Sequence, residues 1–252
     1  MKRYLLQISY SGTNFCGWQT QKSGRTVQQT IEQALSEIAK KEIPVTASGR
    51  TDAGVHALNQ YAHFDFPENM NEKQILKAIS TKLPSDIIVN QVLAVKNDFH
   101  ARFDAFERRY KYILTTKHSP FTFFGKVFYN PEFADDKTID KSTKAFLGKH
   151  DFTSFCKYNP DVKSTFCDIK TFGFHRDNED LIFEINADRF LHNMVRRLVG
   201  TVLNISRFKE NPNIIAELIE NKNPSHKLLT TFPAKGLYLA DVLYPDLTRH
   251  TQ

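Results

Sequence analysis

The sequence has little cysteine and no long apolar run, and both absences exclude whole classes of protein. Its 252 residues include only 3 cysteines, namely Cys16, Cys156 and Cys167, with no CxxC pair among them. This pattern argues against a disulfide framework or a zinc cluster and suits a reducing cytoplasm. No apolar run approaches the roughly 18 residues that a membrane helix needs, and residues 1–10 lack the pattern of a signal peptide. We therefore expect a cytoplasmic protein without a membrane segment.

The sequence also has only a small excess of charge of one sign. Lys and Arg total 34 and Asp and Glu total 28, which gives a net charge of +6. Such an excess fits a nucleic-acid partner but fits many ordinary proteins equally well. The 40% hydrophobic and 25% charged residues exclude a disordered or fibrous chain. The length predicts one large domain or two small ones.

Hydrophobic spacing predicts the element order β-α-β-β-α-β for residues 3–96. Thr26 with Gln29 predicts a capping box at the start of the first helix, and Pro84 ends the second. The predicted strands cover residues 4–10, 43–47, 58–66 and 87–95, and the apolar faces of the helices run over 27–38 and 75–83. This order is that of a ferredoxin-like unit.

The second half repeats this order with insertions. Predicted strands cover 108–115, 165–175, 181–187 and 237–243, and predicted helices cover 139–147 (stopped by Gly148), 194–203 and 214–219. The sequence therefore predicts an α+β fold of two tandem ferredoxin-like units. We expect the N-terminal domain to span residues 1–105 and the C-terminal domain 106–252, with their sheets joined around a central cleft.

The segment SGRTDAGVHA at 48–57 is the most distinctive part of the chain. Two glycines flank Arg50, Thr51 and Asp52 in a predicted loop between strands, and such loops commonly carry catalytic groups. Asp52 could act as a nucleophile, a base or a metal ligand, or the segment could be an ordinary turn. Metal binding is the weakest of these options, because no second carboxylate or histidine stands at ligand spacing.

Two further segments combine cations with aromatic rings or with a helix start. RRYKY at 108–112 places Tyr110 beside cations on a strand, which suits base stacking and phosphate contact, or simply an amphipathic strand. Arg196 and Arg197 are expected in the first or second turn of an apolar helix. Cations are unfavourable there, which indicates either a bound anion or a solvated or salt-bridged arginine pair.

Together these segments resemble the bacterial tRNA pseudouridine synthase A family over nearly the whole chain. The 49–57 segment GRTDAGVHA matches the active-site loop of that family throughout. Departures occur at Ser11, where Asp is usual, at Phe232, where a small residue is usual, and at Asp168, where Arg is common. Other matching segments are YSGT at 10–13, FCGWQ at 15–19, TVQ at 26–28, ARF at 101–103, RRYKY at 108–112, HDFTSF at 150–155, NMVR at 193–196 and PAKGLYL at 233–239.

The resemblance implies the pseudouridine synthase fold, and an isomerase that converts uridine to pseudouridine at positions 38, 39 and 40 of the tRNA anticodon arm. It implies a homodimer that binds tRNA and uses no cofactor and no metal. Carried over by position, Asp52 is the catalytic nucleophile or base and Tyr110 packs on the target base. Arg196 would pair with Asp52, and Arg50 would contact the RNA backbone.

Two other classes share parts of this pattern. A non-catalytic RNA-binding protein of two RNA-recognition-like units would share the fold, the basic balance and the aromatic strands. It leaves Asp52 unexplained, because a carboxylate repels phosphate. A metal nuclease is disfavoured, because the sequence offers no set of metal ligands at suitable spacing. Within the isomerase hypothesis, Asp52 could attack C1′ to give a glycosyl ester or remove the 2′ proton to give a glycal, and the sequence favours neither.

Overall fold

A computed structural model describes residues 1–120 and 124–245 of the chain, and in these residues the fold is α+β. The strands are β1 Lys2–Tyr10, β2 Thr46–Ala47, β3 His56–Phe66, β4 Ile87–Ala94, β5 Glu107–Thr115, β6 Val127–Phe128, β7 Gly148–Asp151, β8 Phe166–Asp177, β9 Asp180–Ala187 and β10 Leu237–Leu243. The helices are α1 Val27–Ala39, α2 Glu72–Ser80, α3 Asp136–Lys144, α4 Met194–Phe208 and α5 Ile214–Glu220.

Residue contacts divide the chain into two compact units. The first consists of Met1–Phe106 and the segment beginning at Tyr238, and the second of Glu107–Leu237. These units are groups of residues in mutual contact and do not by themselves define domains. The division into domains at 1–105 and 106–252 therefore stays a prediction.

The sheet of the first unit is built around β1 and β3. β1 pairs antiparallel with β3 on one side and with β4 on the other. β2 adds antiparallel to β3, with Ala47 opposite Ala62. β10 adds parallel to β3, with Tyr238 opposite His56. β3 therefore lies in the interior of this sheet, and the 48–57 segment leads directly into it.

The helices of the first unit follow the predicted apolar spacing. α1 buries Val27, Ile31 and Leu35 on one face, and the Thr26 hydroxyl accepts a hydrogen bond from the Gln29 amide at 3.4 Å. The reciprocal capping box predicted at Thr26 and Gln29 is found instead at α2, between Asn71 and Gln74. Both helix starts thus satisfy backbone donors that the helix itself leaves unpaired.

The sheet of the second unit has the strand order β5-β9-β8-β7, antiparallel throughout, with β6 parallel to β5. No pattern in the sequence predicts β6 or β7. β7 has the sequence GKHD, and none of its four residues is fully buried. A polar edge strand of this kind has no buried face, so it shows no apolar alternation to detect.

Several element boundaries differ from their predictions. Helix α2 ends at Ser80 rather than at 83, and helix α4 continues to Phe208 rather than ending at 203. Helix α3 ends at Lys144 rather than at 147. Beyond it, the amides of Phe146 and Leu147 donate to the carbonyls of Thr143 and Lys144, three residues back, so these residues form tight turns and not a further α-helical turn. Gly148 then takes a φ of +93°, which ends the turn. The strand expected over 43–47 forms only at Thr46–Ala47. Pro44 has no amide proton for sheet pairing.

Helix α4 is the core of the second unit. Every residue from Leu198 to Ser206 along it is buried, and its Asn204 side chain donates to the carbonyl of Leu228 at 3.0 Å. Despite this burial, no helix within residues 1–120 and 124–245 has the length and apolar character needed to cross a membrane. Gly200 lies on the face of α4 towards residues 228–232, where a Cβ would come within 2.1 Å of the Thr230 carbonyl oxygen.

Gly200→Ala should destabilise the protein despite replacing glycine within a helix. Helix propensity alone favours alanine by about 1 kcal/mol, but the clash with backbone should outweigh this gain and lower the free energy of unfolding by about 1–3 kcal/mol. Urea denaturation measures the change. Gly173→Ala, on strand β8, is the control for the added methyl group, since a Cβ there meets no atom within 4 Å. Equal stability of the two variants would contradict the close packing of Gly200 against the Thr230 carbonyl.

Candidate active site

The 48–57 loop connects β2 to β3 and bends sharply at Asp52. The amide of Val55 donates to the Asp52 carbonyl at 3.1 Å, and Gly54 has a φ of +79°. A positive φ at this third position is what a type II turn requires, so glycine is favoured there. Asp52 is half-buried, whereas Arg50 is exposed. The turn therefore presents one partly shielded carboxylate and one cation on the same loop.

Buried polar side chains hold this loop from the sheet side. The hydroxyls of Tyr10 and Thr51 share a hydrogen bond of 2.7 Å. Ser48 donates to the Gln60 side-chain oxygen at 2.5 Å, and Gln60 donates to the Gly49 carbonyl at 3.0 Å. Burial raises the pKa of Tyr10 to about 12, so its hydroxyl stays protonated at neutral pH. Residues on both sides of Arg50 are thus fixed to the core.

The segment after β1 holds the same loop from the side. Trp18 donates its amide to the Thr51 carbonyl at 3.0 Å, and Gly54 donates to the Phe15 carbonyl at 3.3 Å. Gly12 donates to His56 Nδ1 at 3.2 Å. Asp52 lies between Thr51 and Gly54, so its backbone is restrained on both flanks.

Glycine is required where these two segments approach each other. A Cβ on Gly12 would lie 2.0 Å from the Val55 carbonyl oxygen, and one on Gly17 would lie 2.8 Å from the Thr51 carbonyl oxygen. Gly17 also has a φ of +93°. The glycines of the YSGT and FCGWQ segments therefore permit backbone contact with the loop.

Tyr110 and Arg196 belong to the second unit, whereas Arg50 and Asp52 belong to the first. Tyr110 is half-buried on β5, and its ring meets the ring of Phe190 edge to face, with centroids 5.1 Å apart. The cations on either side of Tyr110 in the sequence are paired at the surface. Lys111 binds Glu184 at 2.9 Å and Arg109 binds Glu107 at 2.6 Å.

Arg196 lies in the first turn of α4, as the sequence predicts, and a backbone segment orients it. Its Nε donates to the Phe232 carbonyl at 2.6 Å, and its Nη1 donates to the Asn193 side-chain oxygen at 2.9 Å. The neighbouring Arg197 donates to the carbonyls of Ser154 and Cys156 at 2.9 and 3.3 Å. Carbonyl oxygens thus accept hydrogen bonds from both arginines near the helix start.

The three residues that depart from the family pattern, Phe232, Asp168 and Ser11, each make contacts within their own unit. Phe232 binds Arg196 through its backbone carbonyl, so this contact does not depend on the side chain at 232. Asp168 pairs with Lys170, and its amide donates to Asp188 at 2.8 Å. The Ser11 hydroxyl lies 3.2 Å from that of Thr13.

The residues that the structure describes contain no group of three or more His, Cys, Asp or Glu side chains placed to hold a metal ion. Asp135 and Asp136 are accounted for otherwise. Asp135 caps α3 by accepting the Thr138 amide at 2.8 Å, and Asp136 pairs with Arg176.

Comparison with known proteins supplies the class of the chain. Residues 7–104 and 143–245 match the profile of the family described as tRNA pseudouridine synthase. The chain therefore belongs to the tRNA pseudouridine synthase family, which confirms the resemblance seen in the sequence.

Individual relatives carry a more specific name. A tRNA pseudouridine synthase A of Parabacteroides distasonis is 41% identical over 98% of this chain and 97% of its own length. One of Colwellia psychrerythraea is 39% identical over 97% and 94%, and a tRNA pseudouridine synthase A 1 of Bacillus cereus is 39% identical over 97% and 99%. Among solved structures, a Cbf5-Nop10-Gar1 complex aligns with a TM-score of 0.34 and 11% identity, over 96% of this chain and 57% of that one; this likeness is too weak to carry any argument.

The residues that support the 48–57 loop were not singled out as site residues from the sequence. Tyr10, Gly12, Phe15 and Trp18 appeared only as parts of matching segments. The sequence feature that could have indicated them is the presence of Gly12 and Gly17 near aromatic residues, because glycine permits close backbone contact. The pairing of Arg196 with Asp52 stays a prediction.

Tyr10→Phe should destabilise the protein by about 1–2 kcal/mol, because it leaves the buried Thr51 hydroxyl without its 2.7 Å partner. Thermal denaturation at pH 7 measures the effect. Tyr158→Phe is the matched control, since Tyr158 is 84% exposed, and it should melt with the wild type. An unchanged melting temperature in Tyr10→Phe would show that the hydroxyl pair does not hold the loop.

Proposed function

We propose that this chain isomerises uridine to pseudouridine at positions 38, 39 and 40 in the anticodon stem-loop of tRNAs. Membership of the tRNA pseudouridine synthase family supports the reaction and the substrate. The observation that carries the proposal is Asp52, a half-buried carboxylate at a tight turn whose neighbours on both sides are hydrogen-bonded to the rest of the unit. We propose Asp52 as the catalytic residue.

The finer fold assignment is also part of the proposal. The antiparallel strand order β4-β1-β3-β2 in the first unit supports a ferredoxin-like arrangement of its βαββαβ order. In the second unit, the order β5-β9-β8 together with α3 and α4 supports the same arrangement. On this basis we assign the chain to the pseudouridine synthase fold with two tandem ferredoxin-like units.

The reaction places few demands on the protein beyond one carboxylate and correct placement of the uridine. The C1′–N1 bond breaks, the uracil turns, and a C1′–C5 bond forms; C5 then loses a proton and N1 gains one. Because this is an isomerisation, it needs no redox partner. Asp52 would act on the sugar, either by attack on C1′ or by removal of the 2′ proton.

The remaining proposed residues handle the substrate. The target base must leave its stack at a cost of a few kcal/mol, and stacking on Tyr110 would return roughly 1–3 kcal/mol of this. We assign Arg196 to substrate binding with Asp52 as its partner. Exposed Arg50 would contact the RNA backbone, as arginines commonly do. Family membership further supports a cytoplasmic homodimer acting on tRNA without a cofactor.

Asp52→Asn should abolish pseudouridine formation while tRNA binding persists. Loss of a carboxylate that acts directly in the reaction should lower the rate by at least about 100-fold. The measurement is incubation with a tRNA transcript in EDTA, mapping of pseudouridine, and a filter-binding assay.

Asp98→Asn provides the control, since Asp98 is an exposed carboxylate of the same unit and should leave the rate unchanged. Wild-type product in EDTA would exclude both a metal nuclease and a passive RNA-binding protein. Product from Asp52→Asn at a rate comparable to wild type would refute the role of Asp52.

Tyr110→Phe should retain more activity than Tyr110→Ala, because the phenyl ring keeps the stacking surface. The loss in Tyr110→Ala should be about 5- to 150-fold, as expected for one lost base stack. Single-turnover rates on the same transcript compare the two, with thermal denaturation to confirm folding. Equal losses would instead assign the role to the hydroxyl.

A further inference from the structure

The 11–25 segment, which joins β1 to α1, is the element that restrains Asp52 from the side. Trp18 and Phe15 within it bond to Thr51 and Gly54, the residues that flank the Asp52–Ala53 pair. Both aromatic side chains are buried. Anything that fixes the position of this segment therefore also fixes the backbone of Asp52.

Arg25 holds the far end of the segment through a two-pronged ion pair with Asp86. The Nη1–Oδ2 distance is 2.7 Å and the Nη2–Oδ1 distance is 2.8 Å. The guanidinium also lies 4.2 Å from the centroid of the Phe15 ring, and the Arg25 carbonyl accepts the Cys16 amide at 2.8 Å. Arg25 thus contacts the same stretch that bonds to the 48–57 loop.

Asp86 contacts the segment at both ends. Its carboxylate binds Arg25, and its carbonyl accepts the amide of Ser11 at 3.0 Å. Asp86 immediately precedes Ile87, the first residue of β4, so it is attached to the sheet. The Asp86 side chain is 21% exposed and that of Arg25 is 40% exposed. The pair therefore closes the segment into a loop anchored on the sheet.

We infer that Arg25 and Asp86 are positioning residues that hold the 11–25 segment, and through it Asp52, in the geometry that the reaction needs. This inference rests on the proposed function. Single exposed ion pairs usually contribute little to stability, whereas a two-pronged arginine–carboxylate pair confers directional specificity. Small displacements of reacting groups can cost about 100-fold in rate. The pair should therefore affect the rate more than the melting temperature.

The test compares Arg25→Gln, Asp86→Asn and the double variant in single-turnover assays with a tRNA transcript. Each single variant should lower the rate constant at least about 10-fold, with the Kd for tRNA changed less than about 2-fold. The double variant should be no slower than the slower single one, because both changes remove the same pair. Arg25→Lys keeps the charge but loses the planar fork, and it should behave like Arg25→Gln.

Arg176→Gln is the matched control. It removes another two-pronged pair, with Asp136, in which the arginine side chain is also 40% exposed. Its rate constant should equal that of the wild type, and its melting temperature should match those of the Arg25 and Asp86 variants. A weaker Kd in Arg25→Gln but not in Asp86→Asn would overturn the inference in favour of direct RNA contact. A lower melting temperature with an unchanged rate would reduce the pair to a structural role.

The fluorescence of Trp18 gives a readout that does not depend on activity. It is the only tryptophan of the chain and is 2% exposed. Its emission should shift to longer wavelength, and acrylamide quenching should increase, in Arg25→Gln and Asp86→Asn but not in Arg176→Gln. Unchanged fluorescence would refute the inference. A wild-type protein that formed no pseudouridine would instead refute the proposed function, with the fluorescence comparison still deciding whether the pair holds the segment.

Discussion

The backbone around residue 12 approaches the 48–57 loop so closely that a Cβ there would lie 2.0 Å from the Val55 carbonyl oxygen. The candidate active site depends on this contact, because it brings the amide of Trp18 to Thr51 and the carbonyl of Phe15 to Gly54. With Asp52 between those two bonded residues, its backbone has little freedom. A site whose carboxylate must meet a sugar at a fixed distance benefits from such restraint, since placement accounts for much of an enzyme's effect on rate.

In the second unit, two arginines lie at the start of helix α4. Positive charge is unfavourable at a helix N-terminus. Here the guanidinium groups of Arg196 and Arg197 donate to backbone carbonyls of Phe232, Ser154 and Cys156. These carbonyls belong to segments that pack against α4, so the arginines also tie those segments to the helix. The unfavourable position of two positive charges at a helix N-terminus is therefore offset by hydrogen bonds to backbone carbonyls from other segments of the unit.

Prediction from the sequence succeeded where one face of an element is buried and failed where none is. The alternation along β1, β5 and β9 and the apolar stripe of α1 located those elements to within a few residues. The edge strand β7, which carries Lys149 and His150, has no buried face and was missed. Helix α3 was predicted too long because Phe146 is apolar and buried, although it lies in a turn beyond the helix end.

The sequence by itself determined the order of the elements other than β6 and β7, the position of Asp52 between two glycines, and the family. Each of these depends on residues close together along the chain, or on motifs that can be compared directly. Only the tertiary structure decided what supports Asp52. Arg25 and Asp86 are 61 positions apart, and Tyr10 and Thr51 are 41 apart. Such pairs meet because β1, β3 and β4 lie side by side in one sheet, and local spacing does not encode which distant side chains that pairing brings together.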